Sequence, residues 1–179
     1  MDSSTKALLN RAGYGDKEAA SELLKLHYKK IYSYLRRCCG NTHIAEDLTQ
    51  ETFSKVWSSL RTFRGRCSFY SWICKIAYHE YVNWIRVKDR YEYQYSAWWE
   101  DIQDTNPGPH ILAVEKQQAE MLYNLVEQMM EKEKQVIHLH YYQGLSIRET
   151  AYVLDIATST VKYRLRNAIK QLRREIKTL

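Results

Sequence analysis

A chain of 179 residues has room for one ordinary domain or two small ones, and an apolar content of 45% excludes a disordered polymer. A net charge of +6 and an isoelectric point near 9.0 favour an anionic partner. No apolar run approaches the roughly 18 to 20 residues that cross a bilayer. The N-terminus MDSSTKALLN also lacks a signal-peptide core, so a cytoplasmic protein without membrane insertion is expected.

Alternation of apolar and polar residues never persists between turn signals, and the chain reads as all-α. Asp16 can cap a first helix that places Leu23, Leu24, His27, Ile31, Tyr34 and Leu35 on its inner face and ends near Gly40. Thr42 opens the next helix, with Ile44, Leu48, Phe53, Val56, Trp57 and Leu60 on the buried side. The opposite side carries Glu46, Asp47, Gln50, Glu51, Ser54 and Lys55, and an acidic stripe exposed on a basic protein points to a protein partner. A third long helix starts near Ser68 or Phe69 and turns Trp72, Ile73, Ile76, Ala77 and Ile85 inward. Ahead of that helix and along it, aromatics interleave with cations: Phe63, Arg64, Arg66, Tyr70, Lys75, Tyr78, His79, Trp84 and Arg86. Aromatic faces beside cations accept unstacked bases at roughly 1 to 3 kcal/mol per base.

Charge then changes sign. Arg61 to Arg90 holds seven basic residues and two acids, whereas Tyr91 to Glu115 has no Lys or Arg and five acids, Glu92, Glu100, Asp101, Asp104 and Glu115. Pro107 and Pro109 bracket Gly108, and no helical pattern crosses them. Residues 91–112 therefore read as an acidic linker between an N-terminal domain, 1–90, and a C-terminal domain, 113–179, which opens with a helix from Ala113 to Met130.

Beyond that helix Val136, Ile137, Leu139, Tyr141 and Tyr142 form an apolar helical run that breaks at Gly144. Ser146 and Glu149 have the S-x-x-E spacing of a capping box, with Ile147, Ala151 and Leu154 facing inward. Asp155 and Ile156 make a tight turn, and Thr158 or Ser159 caps the last helix, whose buried stripe is Val161, Leu165, Ala168 and Leu172. From Lys162 to Lys177 seven Lys or Arg stand against one acid, Glu175. The pattern is a helix-turn-helix that puts its last helix in the major groove. Ser159, Thr160, Lys162, Tyr163 and Arg166 are then the base-reading candidates, with Arg164 and Lys170 on phosphates.

Cys38 and Cys39 are adjacent and ill-placed to ligate one tetrahedral ion together, no C-x-x-C occurs, and no histidine completes a ligand spacing. Cys38, Cys39, Cys67 and Cys74 read as free thiols, and neither a metal nor a cofactor is expected. Phosphate-binding glycine loops and the zinc signature of base deaminases are missing from the sequence, so no covalent chemistry is expected of it.

AEDLTQETFSKVW in the second helix and SLRTFRGRCSFYSWICKIAYHEYVNWIRVKDR after it resemble the core-binding and promoter-melting regions of extracytoplasmic-function sigma factors, small members of the bacterial sigma-70 family. LSIRETAYVLDIATSTVKYRLRNAIKQLR resembles the same family's reader of the upstream promoter element. The likeness spans about Asp16 to Leu172, in the family's order. It implies two small helical domains, a sigma domain 2 of three or four helices and a helix-turn-helix sigma domain 4, joined by the acidic linker.

The resemblance assigns Asp47, Gln50 and Glu51 to the clamp coiled coil of the largest subunit of core RNA polymerase. Arg64, Arg66, Ser68 and Tyr70 fall on the loop that captures a flipped base of the minus-ten element, with Lys75, His79, Asn83 and Arg86 along the adjacent helix. Ser159, Thr160, Lys162, Tyr163, Arg164, Arg166 and Lys170 fall on the minus-35 duplex. The polymerase flap, promoter DNA and an anti-sigma factor are the other implied partners, and the acidic linker would imitate RNA charge within the polymerase. His79 and Tyr163 depart from the family pattern, which often has Asn and a small residue there. Met129 to Lys132 replaces its usual Leu-Pro. A dimeric helix-turn-helix repressor or activator acting without polymerase is the alternative that the C-terminal motif by itself allows.

Overall fold

A computed structural model describes residues 3–94 and 121–177, and every regular element among them is helical. The chain divides into two compact units. The N-terminal unit contains α1 (Ser3–Gly13), α2 (Lys17–Cys39), α3 (Thr42–Ser59), a single 3-10 turn (Leu60–Thr62) and α4 (Phe69–Gln94). Helices α2, α3 and α4 pack mutually, and α1 lies against α2 and the 3-10 turn. Leu23, Ile31, Tyr34, Leu35, Val56, Phe69 and Ile73 are fully buried among them.

Caps fix where the two central helices begin. The Asp16 carboxylate accepts from Ala19 N at 2.9 Å and opens α2, as its position in the sequence predicts. Asn41 does the same for α3, accepting from Ile44 N at 3.1 Å. Helix α1 precedes the first predicted helix. Of its described side chains only Leu8 and Ala12 are buried, too thin a stripe for periodicity to register.

Helix α3 is rotated from its predicted setting. Its buried side is Ala45, Leu48, Thr49, Thr52 and Val56, while Ile44 and Phe53 are half-buried and Trp57 is 42% exposed. Two threonines explain the difference. Thr49 Oγ1 donates to Ala45 O at 2.6 Å and Thr52 Oγ1 to Leu48 O at 2.7 Å, so both hydroxyls are satisfied within the helix and their methyls pack as apolar groups. In α4 Ile73 and Ala77 are buried as expected; Trp72, Ile76 and Ile85 are only half-buried, and Phe69, Cys74 and Tyr81 take up the remaining core.

The C-terminal unit begins, within the described residues, at a helical segment 121–127, α5, that buries Val126. Residues 113–120 of the predicted helix, and most of the predicted linker, lie outside the described residues. Helix α6 (Glu131–Ile137) continues into a π-helical turn (His138–Tyr142), followed by α7 (Ile147–Leu154) and α8 (Thr158–Lys177). Val136, Ile137 and Leu139 are buried, but Tyr141 and Tyr142 are 57% and 37% exposed, contrary to the apolar run. The π turn, closed by Gln143 N donating to His138 O at 3.0 Å, re-phases the helix and seats the imidazole of His138 in the core instead. Gly144 then takes φ +69°, a conformation that its lack of a Cβ permits.

The capping box forms as predicted: Glu149 N donates to Ser146 Oγ at 3.3 Å, and Ser146 N donates to Glu149 Oε2 at 3.0 Å. Ala151 and Leu154 are buried and Ile147 is half-buried. Asp155 makes the turn with φ 56°, and α8 buries Val161, Leu165 and Ala168 while Leu172 is half-buried. The predicted cap is displaced by one residue. Val161 N donates to Ala157 O at 3.1 Å, so Ala157 holds the cap position and Thr158 is the first helical residue.

Candidate nucleic-acid interface

Three exposed faces carry the residues that the sequence singles out. On α3, Asp47, Gln50 and Glu51 are all exposed, beside exposed Glu46, Ser54 and Lys55. Lys55 turns toward α4, pairing at 2.6 Å with the buried carboxylate of Glu80, so the face that remains is acidic. Sequence reasoning missed its apolar flank. Phe53 stacks on Tyr28 of α2 with ring centroids 5.5 Å apart, Trp57 stands one turn further along α3, and Tyr28 is 46% exposed. The signal was the same aromatic spacing, read as core; rings flanked by polar groups are the residue types that anchor protein interfaces.

The loop after the 3-10 turn is pinned at both ends. Phe63 packs against Phe69 and Trp72 with centroids 5.2 and 5.3 Å away, and the Ser68 hydroxyl accepts from Ser71 N at 3.1 Å at the start of α4. Between these anchors Gly65 turns the backbone at φ +68°, and Arg64 and Arg66 stand exposed on either side of it. Along α4, His79, Asn83 and Arg86 are exposed and Lys75 is half-buried, spaced at four, four and three residues and hence on one face. Two of the predicted site residues also support the loop. Ser68 caps α4, and Tyr70 is half-buried under α2, stacked on His27 at 5.4 Å with the Lys30 ammonium 5.3 Å from its ring. Burial, with smaller contributions from Cys74, pushes the Tyr70 phenol far above its ordinary range, so it stays neutral.

In the C-terminal unit, Ser159, Lys162, Tyr163, Arg166 and Lys170 are exposed on α8, and Thr160 and Arg164 are half-exposed at the edges of the same face. Tyr163 is 62% exposed. Toward its C-terminal end α8 also borders a groove of about 690 Å³, with an apolar floor that includes Ile147 and Ile169 and a rim that includes Lys162, Arg173 and Lys177. Under this face the unit is held by Glu127, Lys134 and His138. The Lys134 ammonium lies 3.0 Å from one oxygen of Glu127, and His138 Nε2 lies 3.5 Å from the other. Burial pushes the Glu127 carboxyl up, but the adjacent His138 imidazole and the Lys134 ammonium outweigh it and hold the group below its ordinary 4.5. Among the described residues no cluster of His, Cys, Asp or Glu is placed to hold a metal ion.

Comparison with known proteins accounts for both units. Residues 23–91 match the family described as Sigma-70 region 2, and residues 119–172 match Sigma-70, region 4. The ECF RNA polymerase sigma factor SigX of Bacillus subtilis is 30% identical over 88% of this chain and 83% of its own length. The chain belongs to the ECF RNA polymerase sigma factors. The ECF RNA polymerase sigma-E factor of Haemophilus influenzae is 28% identical, over 97% of this chain and 96% of the relative.

Solved structures agree in fold. The sigma factor RpoE of Bartonella quintana, in complex with the anti-sigma factor NepR, superposes with a TM-score of 0.73 at 19% identity, covering 88% of this chain and 96% of that one. CnrH in complex with the cytosolic domain of CnrY gives a TM-score of 0.70 at 18% identity, with 98% of each chain covered. This sigma factor therefore has the two helical domains of its family, regions 2 and 4, and its function is that of an RNA polymerase sigma factor in transcription initiation. None of its described helices is long and apolar enough to cross a membrane.

Proposed function

We propose that this sigma factor divides its work among the three faces. Residues 1–90 dock on core polymerase and hold melted minus-ten DNA, residues 91–112 thread the polymerase as an RNA-like acidic linker, and residues 113–179 read the minus-35 duplex. Asp47, Gln50 and Glu51 meet the clamp coiled coil of the largest subunit, with Trp57 and Tyr28 as the apolar anchors beside them. Arg64 and Arg66 hold the captured base and its phosphates, on a loop that Ser68 and Tyr70 support, and Lys75, His79, Asn83 and Arg86 follow the strand along α4. Ser159, Thr160, Lys162, Tyr163 and Arg166 read base edges, and Arg164 and Lys170 hold phosphates. The polymerase flap is a further partner of residues 113–179. An anti-sigma factor, in the cytoplasm, is the partner that restrains the protein, and the protein itself makes and breaks no covalent bond.

The observation that carries this reading is the segregation of charge within one small unit. Acids are exposed on α3, while cations are exposed on the loop and on α4. A protein that only coated DNA has no use for the first face. Binding energy alone then drives strand opening: stacking and phosphate contacts on the melted strand offset the cost of unstacking, while the duplex anchor on α8 sets the register. Arg166→Ala should weaken promoter binding about 5- to 100-fold through the minus-35 element, the equivalent of roughly 1 to 3 kcal/mol. Association with core polymerase, measured by pull-down with the purified enzyme, should be unchanged, and a matching loss of core association overturns the division.

A further inference from the structure

The turn between α1 and α2 has no part in the faces described above, yet it carries Tyr14, which is 94% exposed. An aromatic ring left in water contributes nothing to the core. The backbone that carries it is nevertheless held firmly. Tyr14 N donates to Asn10 O at 3.2 Å and to Arg11 O at 3.1 Å, and Gly15 N donates to Ala12 O at 3.0 Å. Arg11 Nε donates to the Asp16 carboxylate at 2.8 Å, and Asp16 in turn caps α2. Buried Leu8 and Ala12 seat the α1 side of the turn.

The turn also reaches the 3-10 turn that precedes the loop. Arg61 is exposed in the 3-10 turn, and its Nη2 lies 3.5 Å from where a Cβ on Gly15 would stand. Two residues later the chain enters the loop at Phe63, which is locked against Phe69 and Trp72. Tyr14 adjoins Gly15 in the chain, so an exposed ring and an exposed guanidinium stand at the same turn of this unit. This combination matches a nucleotide out of its helix: a π-face for the base and a cation for its phosphate.

We propose that Tyr14 and Arg61 form a second contact for single-stranded DNA, in which Tyr14 stacks on an unpaired base next to the one captured by the loop and Arg61 takes the adjoining phosphate. The proposal rests on the minus-ten reading of the Arg64 to Ser68 loop. It extends the melted strand's path beyond α4 to the α1–α2 turn and gives α1, with its thin buried stripe, a reason to be held in place.

The test uses the full chain assembled with core polymerase and two fork-junction DNAs. In one the single-stranded tail stops at the minus-ten element, and in the other it continues several nucleotides beyond. Tyr14→Ala should weaken binding of the long-tailed fork about 5- to 100-fold and leave the short-tailed fork unaffected. Tyr14→Phe should bind both like the parent, and Arg61→Ala should reduce the slope of log affinity against log salt on the long tail by about 0.7. Equal binding of the long tail by Tyr14→Ala and parent overturns the contact. So does an equal loss on both forks, or a loss of core association in pull-down, since either marks Tyr14 as structural or as a protein contact. Arg64→Ala separates the two readings: if it weakens neither fork, the capture loop itself is misassigned, whatever Tyr14 does.

Discussion

His27 of α2 packs against the start of α4, with its ring 5.6 Å from Phe69 and 5.4 Å from Tyr70. Its Nε2 is buried without a protein hydrogen-bond partner. Burial, reinforced by the nearby Lys30 ammonium, lowers its pKa below the ordinary 6.5. The unfolded chain therefore binds the proton more tightly than the folded one. Stability from this residue is complete above about pH 6.5 and falls as pH drops from there toward the lower folded value. His27→Phe should remove that part of the acid sensitivity: between pH 7 and pH 5.5 the parent's melting temperature should fall further than the variant's, and parallel curves would refute the assignment. At the same scale Tyr70 and Ser68 show how one residue type serves two roles. In the structure Tyr70 is a neutral, half-buried packing ring and Ser68 is a helix cap.

At the scale of elements, the capping box and the threonines of α3 mark opposite limits of sequence reading. Ser146 and Glu149 sit in one turn, so their spacing alone determines that each can reach the other's amide, and the structure has both bonds. Ser146→Ala removes the acceptor for Glu149 N and should destabilise the C-terminal unit by about 1 kcal/mol. Thermal unfolding of the full chain, followed by a probe in that unit, should show the loss, with Ser146→Asp restoring most of it. Helix α3 is the contrary case. Its apolar residues suggest a stripe that includes Trp57, but Thr49 and Thr52 satisfy their hydroxyls on the carbonyls four residues back and so become buried residues. The helix turns accordingly, and Trp57 is exposed rather than part of the core. The π turn at His138–Tyr142 has the same effect on Tyr141 and Tyr142: one extra residue in a helical turn shifts the phase of all that follow.

For the whole molecule, the deciding feature is that faces of opposite charge are kept apart on rigid helices. Exchanging the charge on α3, with Asp47→Lys and Glu51→Lys together, should abolish association with core polymerase. Both side chains are exposed and outside the core, so the melting temperature should stay within a few degrees of the parent's. Retention of the core complex by this variant would remove the clamp-facing role from α3. The dimeric repressor reading, open to the helix-turn-helix alone, gives no account of the region 2 match over residues 23–91 or of the acidic face within it.

Sequence by itself determined the all-α class, the Asp16 cap, the break at Gly144, the capping box and the stripe of Val161, Leu165 and Ala168 on α8. These are consequences of local hydrogen bonding and of a 3.6-residue period, which act over a few residues and leave their mark in spacing. It also determined which residues of α8 are turned outward, because a stripe of small and branched apolar residues leaves only one other face. Tertiary structure decided the rest: the part-burial of Tyr70, the Lys55–Glu80 tie between α3 and α4, and the approach of Arg61 to the backbone at Gly15. Each of these depends on which helix packs against which. A side chain's fate is set there by its neighbours across the core, dozens of residues away, and no local pattern encodes them.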